Sequence, residues 1–88
     1  MASFEISWKN SAEKDLRQID PKQIPRIINA IESLANNPFP AQHLKIKGTE
    51  HLYRLRISDY RVIYHLNTQV RLITIYHIRH RKEVYRRI

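Results

Sequence analysis

Phe4, Ile6 and Trp8 alternate with Ser3, Glu5 and Ser7, a period of two that predicts a short strand with one buried face. From Asn10 the period lengthens. Ala12, Leu16 and Ile19 fall on one side of a helix, with Asn10 as its cap and Glu13 three residues on completing a capping box. This helix ends near Ile19, and Asp20-Pro21 marks a turn. Ile24, Ile27, Ile28, Ile31, Leu34 and Ala35 then follow the i, i+3, i+4, i+7 spacing of a second amphipathic helix. If that helix started at Asp20, Pro25 would remove an internal hydrogen bond, so its regular part begins at Ile24 or Pro25. Asn36, Asn37, Pro38 and Pro40 end it, and a connecting loop runs to Gly48, the only glycine.

Three strand-like segments follow, at residues 51–57, 60–66 and 70–78, separated by the short polar breaks Ser58-Asp59 and Asn67-Thr68-Gln69. Breaks this short suit antiparallel hairpins, since a parallel crossover needs a dozen or more residues. In the last segment both alternating sets, Leu72/Thr74/Tyr76/Ile78 and Ile73/Ile75/His77, are largely apolar, which predicts a strand inside the sheet. The expected fold class is α+β. An N-terminal strand precedes a two-helix antiparallel hairpin, and a three-stranded antiparallel meander completes a mostly antiparallel sheet (β-α-α-β-β-β) with a short C-terminal segment. All of it forms a single domain over residues 1–88. Two helices on one face leave the other face to a ligand.

Eighty-eight residues without a cysteine exclude both a disulfide framework and a Cys-based zinc site as the source of stability. The first residues lack the pattern of a signal peptide, and no apolar run approaches the length of a membrane span. The expected location is therefore cytoplasmic, in soluble form. Charge changes the picture more. In residues 1–44 five basic residues cancel five acidic ones, whereas in residues 45–88 eleven basic residues stand against three acidic and carry the whole net charge of +8. All five tyrosines lie among them, at Tyr53, Tyr60, Tyr64, Tyr76 and Tyr85. A basic half interleaved with aromatics suits a polyanion, because neutralising phosphates releases counterions; a solvated basic face and a surface for an acidic protein are the alternatives.

The strands carry arginines where a half-buried sheet ordinarily carries Thr, Ser or Val. Leu52, Arg54 and Arg56 share one face of their strand, and Arg61, Ile63 and His65 share one face of the next. This alternation allows two readings: Arg54, Arg56 and Arg61 converge on the open face of one hairpin, where guanidinium forks bind phosphate in bidentate fashion, or they stand on a solvent face and supply only solubility. Past the last strand, Arg79, His80, Arg81, Lys82 and Tyr85 bring a titratable imidazole beside cations and an aromatic ring, a set suited to acid–base work and stacking on RNA. His43, His51, His65 and His77 are weaker signals. There is no HExxH pattern, no glycine-rich phosphate loop and no serine-nucleophile signature, so neither a metal nor any other cofactor is expected.

Leu44-Lys-Ile-Lys-Gly48, the run His51-Leu-Tyr-Arg-Leu-Arg-Ile-Ser-Asp-Tyr-Arg-Val-Ile-Tyr64 and the terminal His80-Arg-Lys-Glu-Val-Tyr85 together resemble the RelE/ParE superfamily of toxins, over nearly the whole chain. A RelE-type resemblance implies a metal-independent endoribonuclease that enters the ribosomal A site and cuts mRNA when a ribose 2′-hydroxyl attacks the adjacent phosphate. It also implies a RelB-like antitoxin partner, in a hetero-oligomer that binds operator DNA through the antitoxin. Carried over, Arg56, Arg61, His80, Arg81 and Tyr85 form the catalytic set. Arg61 stabilises charge on phosphate, Arg81 assists the departing 5′ oxygen, and Tyr85 orients or stacks on a base. Arg54, Lys45, Lys47, Arg79 and Lys82 bind RNA. The RelE pattern has lysines where Arg54 and Arg56 stand, and arginine cannot give up its proton, so His80 is the candidate base. Arg79 is an alternative to Arg81 as the tail arginine. Two other functions remain open on the same fold: a ParE-like inhibitor of DNA gyrase without nuclease activity, and a non-catalytic module that binds RNA or antitoxin.

Overall fold

The structure is a computed structural model that describes residues 3–40 and 43–82. Within these residues the elements are β1 (Glu5–Trp8), α1 (Asn10–Arg17), α2 (Ile24–Ser33), β2 (His43–Lys45), β3 (Leu52–Ile57), β4 (Tyr60–Asn67) and β5 (Leu72–His80). They build one five-stranded sheet in the order β1-β5-β4-β3-β2. β1 runs parallel to β5, and the other three pairings are antiparallel. The α+β class and the helical hairpin followed by a meander are as the sequence predicts.

β2 is an additional strand within the expected loop. Three residues show no alternation to read, and they become a strand only because the edge of β3 offers partners, with His43, Leu44 and Lys45 opposite Leu55, Arg54 and Tyr53. The capping box is also absent. Lys9 occupies the N-cap with extended dihedrals, no side chain caps the helix, and Asn10 is already helical. The cause lies in the sheet: the Lys9 N–H still bonds to the Ile75 carbonyl at 3.0 Å, which holds the chain extended one residue further than the local signal indicates. α1 ends at Arg17, two residues before Ile19. α2 begins at Ile24 with Pro25 in its first turn, where the missing N–H costs nothing.

The helices cover one face of the sheet. Ile27, Ile31 and Leu34 of α2 and the loop that follows it, together with Ala12 and Ile19, pack against Leu55, Ile57, Val62, Tyr64, Leu66, Ile73, Ile75 and Ile78. Tyr64 is fully buried, its hydroxyl donates to the Pro38 carbonyl at 2.9 Å, and the Tyr53 ring stacks on it. Phe39 and His43 pack against Tyr53 in turn, so an aromatic cluster pins the connector between α2 and β2 to the sheet.

One irregularity decides what the opposite face presents. Ile63 pairs with His77 but Tyr64 pairs with Ile75, so Tyr76 is a β-bulge. Strict alternation groups Ile78 with Tyr76, but the extra residue moves Ile78 to the core and turns His77 and Arg79 to the uncovered face. β5 also continues two residues beyond Ile78, to His80, and begins at Leu72 because Arg71 takes a left-handed turn conformation (φ 56°).

Candidate functional site

Arg56 of β3 stands opposite Arg61 of β4, and Arg61 opposite Arg79 of β5. Residues directly opposite in antiparallel strands share a face, so three guanidinium side chains form a row across the face that the helices leave open. Arg54 lies two residues along β3, opposite Ile63. Like charges in directly opposed positions repel and weaken a sheet. A row of three is therefore a cost to the fold, offset at Arg79 by the Asp15 carboxylate of α1, 3.6 Å from its Nε. Arg56 is exposed, whereas Arg61 is only 7% exposed and directs Nη1 at the Ser58 and Tyr60 carbonyls, at 3.2 and 3.0 Å. Those carbonyls flank Asp59 at the Ser58-Asp59 turn, where Ser58 has a left-handed φ of 54°. For a residue with a Cβ that conformation costs on the order of 1 kcal/mol, and the Arg61 hydrogen bonds help to hold it.

The tail meets the same turn. The Arg81 N–H donates to the Asp59 carbonyl at 2.7 Å, and its guanidinium lies 3.8 Å from the Asp59 carboxylate. Arg79 and Arg81 thus reach one end of the sheet by different routes, Arg79 within the row and Arg81 across the turn. Lys82 is exposed beside Arg81, and Tyr85 lies outside the described residues. His80 lines a cavity with Arg79, Asp15 and Tyr60 but is turned off the face that carries the arginine row. Because β5 extends through it, its position opposite Tyr60 turns it to the helix-covered side, where the two rings meet edge-on at 5.5 Å. Lys45 and Lys47 border a cavity of ≈ 230 Å³ at the sheet edge together with Arg54 and Ile63.

The histidine that lies on the arginine face next to Arg79 is His77, whereas His65 lies four residues along β4 from Arg61. Its Nδ1 lies 3.2 Å from Asp15 Oδ2 of α1 and 3.1 Å from an Arg79 Nη2. A proton on Nδ1 directs the ring to the carboxylate; without that proton the nitrogen accepts from Arg79. Asp15 also accepts the Ile78 N–H at 3.0 Å and stands 3.6 Å from Arg79 Nε, while the Ser11 hydroxyl donates to the Tyr76 carbonyl at 2.6 Å. These contacts close the edge of β5 where β1 has ended, giving backbone groups the partners that a neighbouring strand would supply. Sequence reasoning passed over Asp15 and ranked His77 only among the weaker histidine signals. The available signal was the i, i+4 pair Ser11/Asp15 beside the apolar stripe of α1, but only the bulge brings His77 and Arg79 to it.

Replacing Asp15 with alanine is expected to destabilise the chain by about 1–3 kcal/mol, because the Ile78 N–H loses its acceptor and Arg79 its counter-charge. Asparagine, which keeps an acceptor, is expected to cost less. Urea unfolding midpoints of the two variants check the order.

Among the described residues no three His, Asp or Glu side chains are grouped as metal ligands, and no helix is long and apolar enough to cross a membrane.

The geometry agrees with comparisons to known proteins. The sequence model of the ParE toxin of type II toxin–antitoxin system, parDE, matches residues 6–85. RelE1 of Methanocaldococcus jannaschii, a toxin by name, is 30% identical over 86 residues, covering 94% of this chain and 96% of that protein. Among solved structures, the archaeal RelE-RelB complex from Pyrococcus horikoshii matches with a TM-score of 0.79 and 27% identity, over 90% of this chain and 96% of that one. The isolated E. coli RelE toxin matches with a TM-score of 0.77 over 97% of this chain and 94% of that one, and at 17% identity it attests the shared fold. On this evidence the chain belongs to the RelE/ParE superfamily and is a toxin of the type II toxin–antitoxin class.

Proposed function

We propose that this toxin is a ribosome-dependent endoribonuclease that cleaves mRNA in the A site, and the arginine row Arg56–Arg61–Arg79 is the observation that carries the reading. An exposed Arg56 beside the nearly buried Arg61 and the Asp15-paired Arg79 gives a locally cationic sheet face that matches a phosphate whose charge increases during reaction. In that reaction the 2′ oxygen loses its proton as it bonds to phosphorus, the P–O5′ bond breaks, and the 5′ oxygen gains a proton. The ends left are a 2′,3′-cyclic phosphate and a 5′-hydroxyl. Arg61, held by the turn, stabilises the phosphoryl oxygens, with Arg56 and Arg54 along the same strand face. Arg81 assists the departing oxygen from across the turn, and Tyr85 supplies a ring for a base.

Arg54 and Arg56 cannot serve as bases. His77, on the row's side of β5 and oriented by Asp15, is the better placed proton acceptor, since His80 faces Tyr60 on the other side. Lys45, Lys47 and Lys82 add RNA affinity at the margins. The partner is a RelB-like antitoxin that covers the basic face, in keeping with the RelE-RelB complexes among the similar structures. The toxin–antitoxin hetero-oligomer binds operator DNA through the antitoxin.

A second reading, inhibition of DNA gyrase, is favoured by the ParE description of the matching family and by arginines at the RelE lysine positions. Induced expression without antitoxin separates the two, with mRNA 5′ ends mapped beside an Arg56→Ala/Arg61→Ala control. Cuts within translated codons that disappear in the control support the nuclease. Growth arrest with intact mRNA and altered plasmid supercoiling would support gyrase inhibition instead.

A further inference from the structure

The open face carries a second row that the cleavage chemistry does not use. His65 of β4 and the bulged Tyr76 of β5 stack with ring planes 15° apart and centroids at 6.1 Å. His51, just before β3, packs edge-on against His65 at 5.7 Å. Lys9 places Nζ over the Tyr76 ring, 4.2 Å from its centre. Beside His51 and His65 lies a recess of ≈ 180 Å³ walled by Leu66, Asn67, Thr68 and Gln69. Glu50 is the acidic neighbour, 3.7 Å from His51 with both side chains largely exposed.

His65 shares the face of Arg61, four residues along β4, so at about 3.3 Å per residue the two rows are roughly 13 Å apart. At the ~3.4 Å rise of stacked nucleotides that distance takes about four nucleotides, and fewer if the strand is extended. A run of half-exposed rings ending on a cation, on the same face as a phosphate-binding row, has the composition of a single-strand stacking platform, in which π-faces hold bases and a positive charge follows the backbone.

We infer that His51, His65 and Tyr76, with Lys9, form a base-stacking subsite for single-stranded RNA up to four nucleotides from the phosphate held by Arg61. This deepens the ribonuclease reading and rests on it. The bulge that turns His77 and Arg79 toward the phosphate also leaves Tyr76 free to lie against His65, so one irregularity sets both rows.

The test uses single-stranded RNAs of four and ten nucleotides with a 2′-deoxy sugar at the attacking position, which blocks cleavage, and measures binding by fluorescence anisotropy at low salt. The longer RNA is expected to bind wild type at least tenfold more tightly than the shorter. That gain should vanish in His65→Ala/Tyr76→Ala, with binding of the short RNA unchanged, and it should persist in His65→Phe/Tyr76→Phe, which retains the stacking faces and checks that the fold is intact. In Arg56→Ala/Arg61→Ala binding of the short RNA should fall while a length-dependent gain remains. A gain that survives in the alanine pair, or is lost equally in the phenylalanine pair, would overturn the subsite and leave the arginine reading in place. Binding of neither RNA by wild type would overturn the subsite, while the ribosome-dependent cleavage reading stands or falls separately on the mapped mRNA 5′ ends.

Discussion

Arg61→Ala is expected to lower the rate of mRNA cleavage on ribosomes by about 10²–10³-fold, the usual effect of removing one preorganised donor from a developing negative charge. It should also destabilise the chain by about 1–3 kcal/mol, because Arg61 is nearly buried and its Nη1 supplies hydrogen bonds to two turn carbonyls. The two effects are separated one strand away. Arg56 is exposed and faces Arg61 directly, so Arg56→Ala removes a like-charge opposition and should lower cleavage without lowering the melting temperature. Single-turnover cleavage on programmed ribosomes, paired with thermal unfolding of each variant, reads both quantities. Equal loss of stability in the two variants, with cleavage intact in Arg56→Ala, would defeat the assignment of the row to phosphate.

Tyr64→Ala is expected to cost about 3–5 kcal/mol, a large part of the ~5–15 kcal/mol that holds a domain together. Tyr64 is the largest fully buried side chain of the sheet and meets α2, the connector and Tyr53. Tyr64→Phe keeps the ring but leaves the Pro38 carbonyl without its donor, for about 1 kcal/mol. The same burial, with a lesser contribution from neighbouring Tyr53, pushes the Tyr64 phenol far above its ordinary value of 10.0. The unfolded chain ionises this phenol near pH 10 while the folded chain retains the proton, so stability present below pH 10 is lost as the pH rises above it. Wild type should therefore lose stability more steeply than Tyr64→Phe in the alkaline range. Urea midpoints at pH 8 and pH 11 check the sign, and parallel curves for the two proteins would contradict it.

Much of the fold was legible because its signals are local. The alternation at Phe4, Ile6 and Trp8 and the apolar stripe from Ile24 to Leu34 each name an element without reference to the rest of the chain, and the two polar breaks after Ile57 and Leu66 allow only hairpins. The arginine pattern of β3 and β4 was legible too, since the two-residue turn fixes the register and the register puts Arg56 opposite Arg61. What the sequence alone determined, then, is the order of elements, the helix-covered core and the basic character of the opposite face. All of these follow from periodicity and charge, which any segment carries within itself.

Tertiary structure decided the rest. The Asn10 capping box yielded to a β1–β5 hydrogen bond at Lys9, because a ladder bond to a strand more than sixty residues away outweighs a local cap. β2 exists only because β3 had an open edge. His80 turned away from the arginines, and His77 and Arg79 turned toward them, because a bulge at Tyr76 reverses the faces of a strand without altering its composition. A face assignment depends on parity along the whole strand, and a single extra residue fixed by packing changes it. For that reason the choice of histidine beside the arginine row, and the Asp15 that orients it, belonged to the fold and not to the sequence pattern.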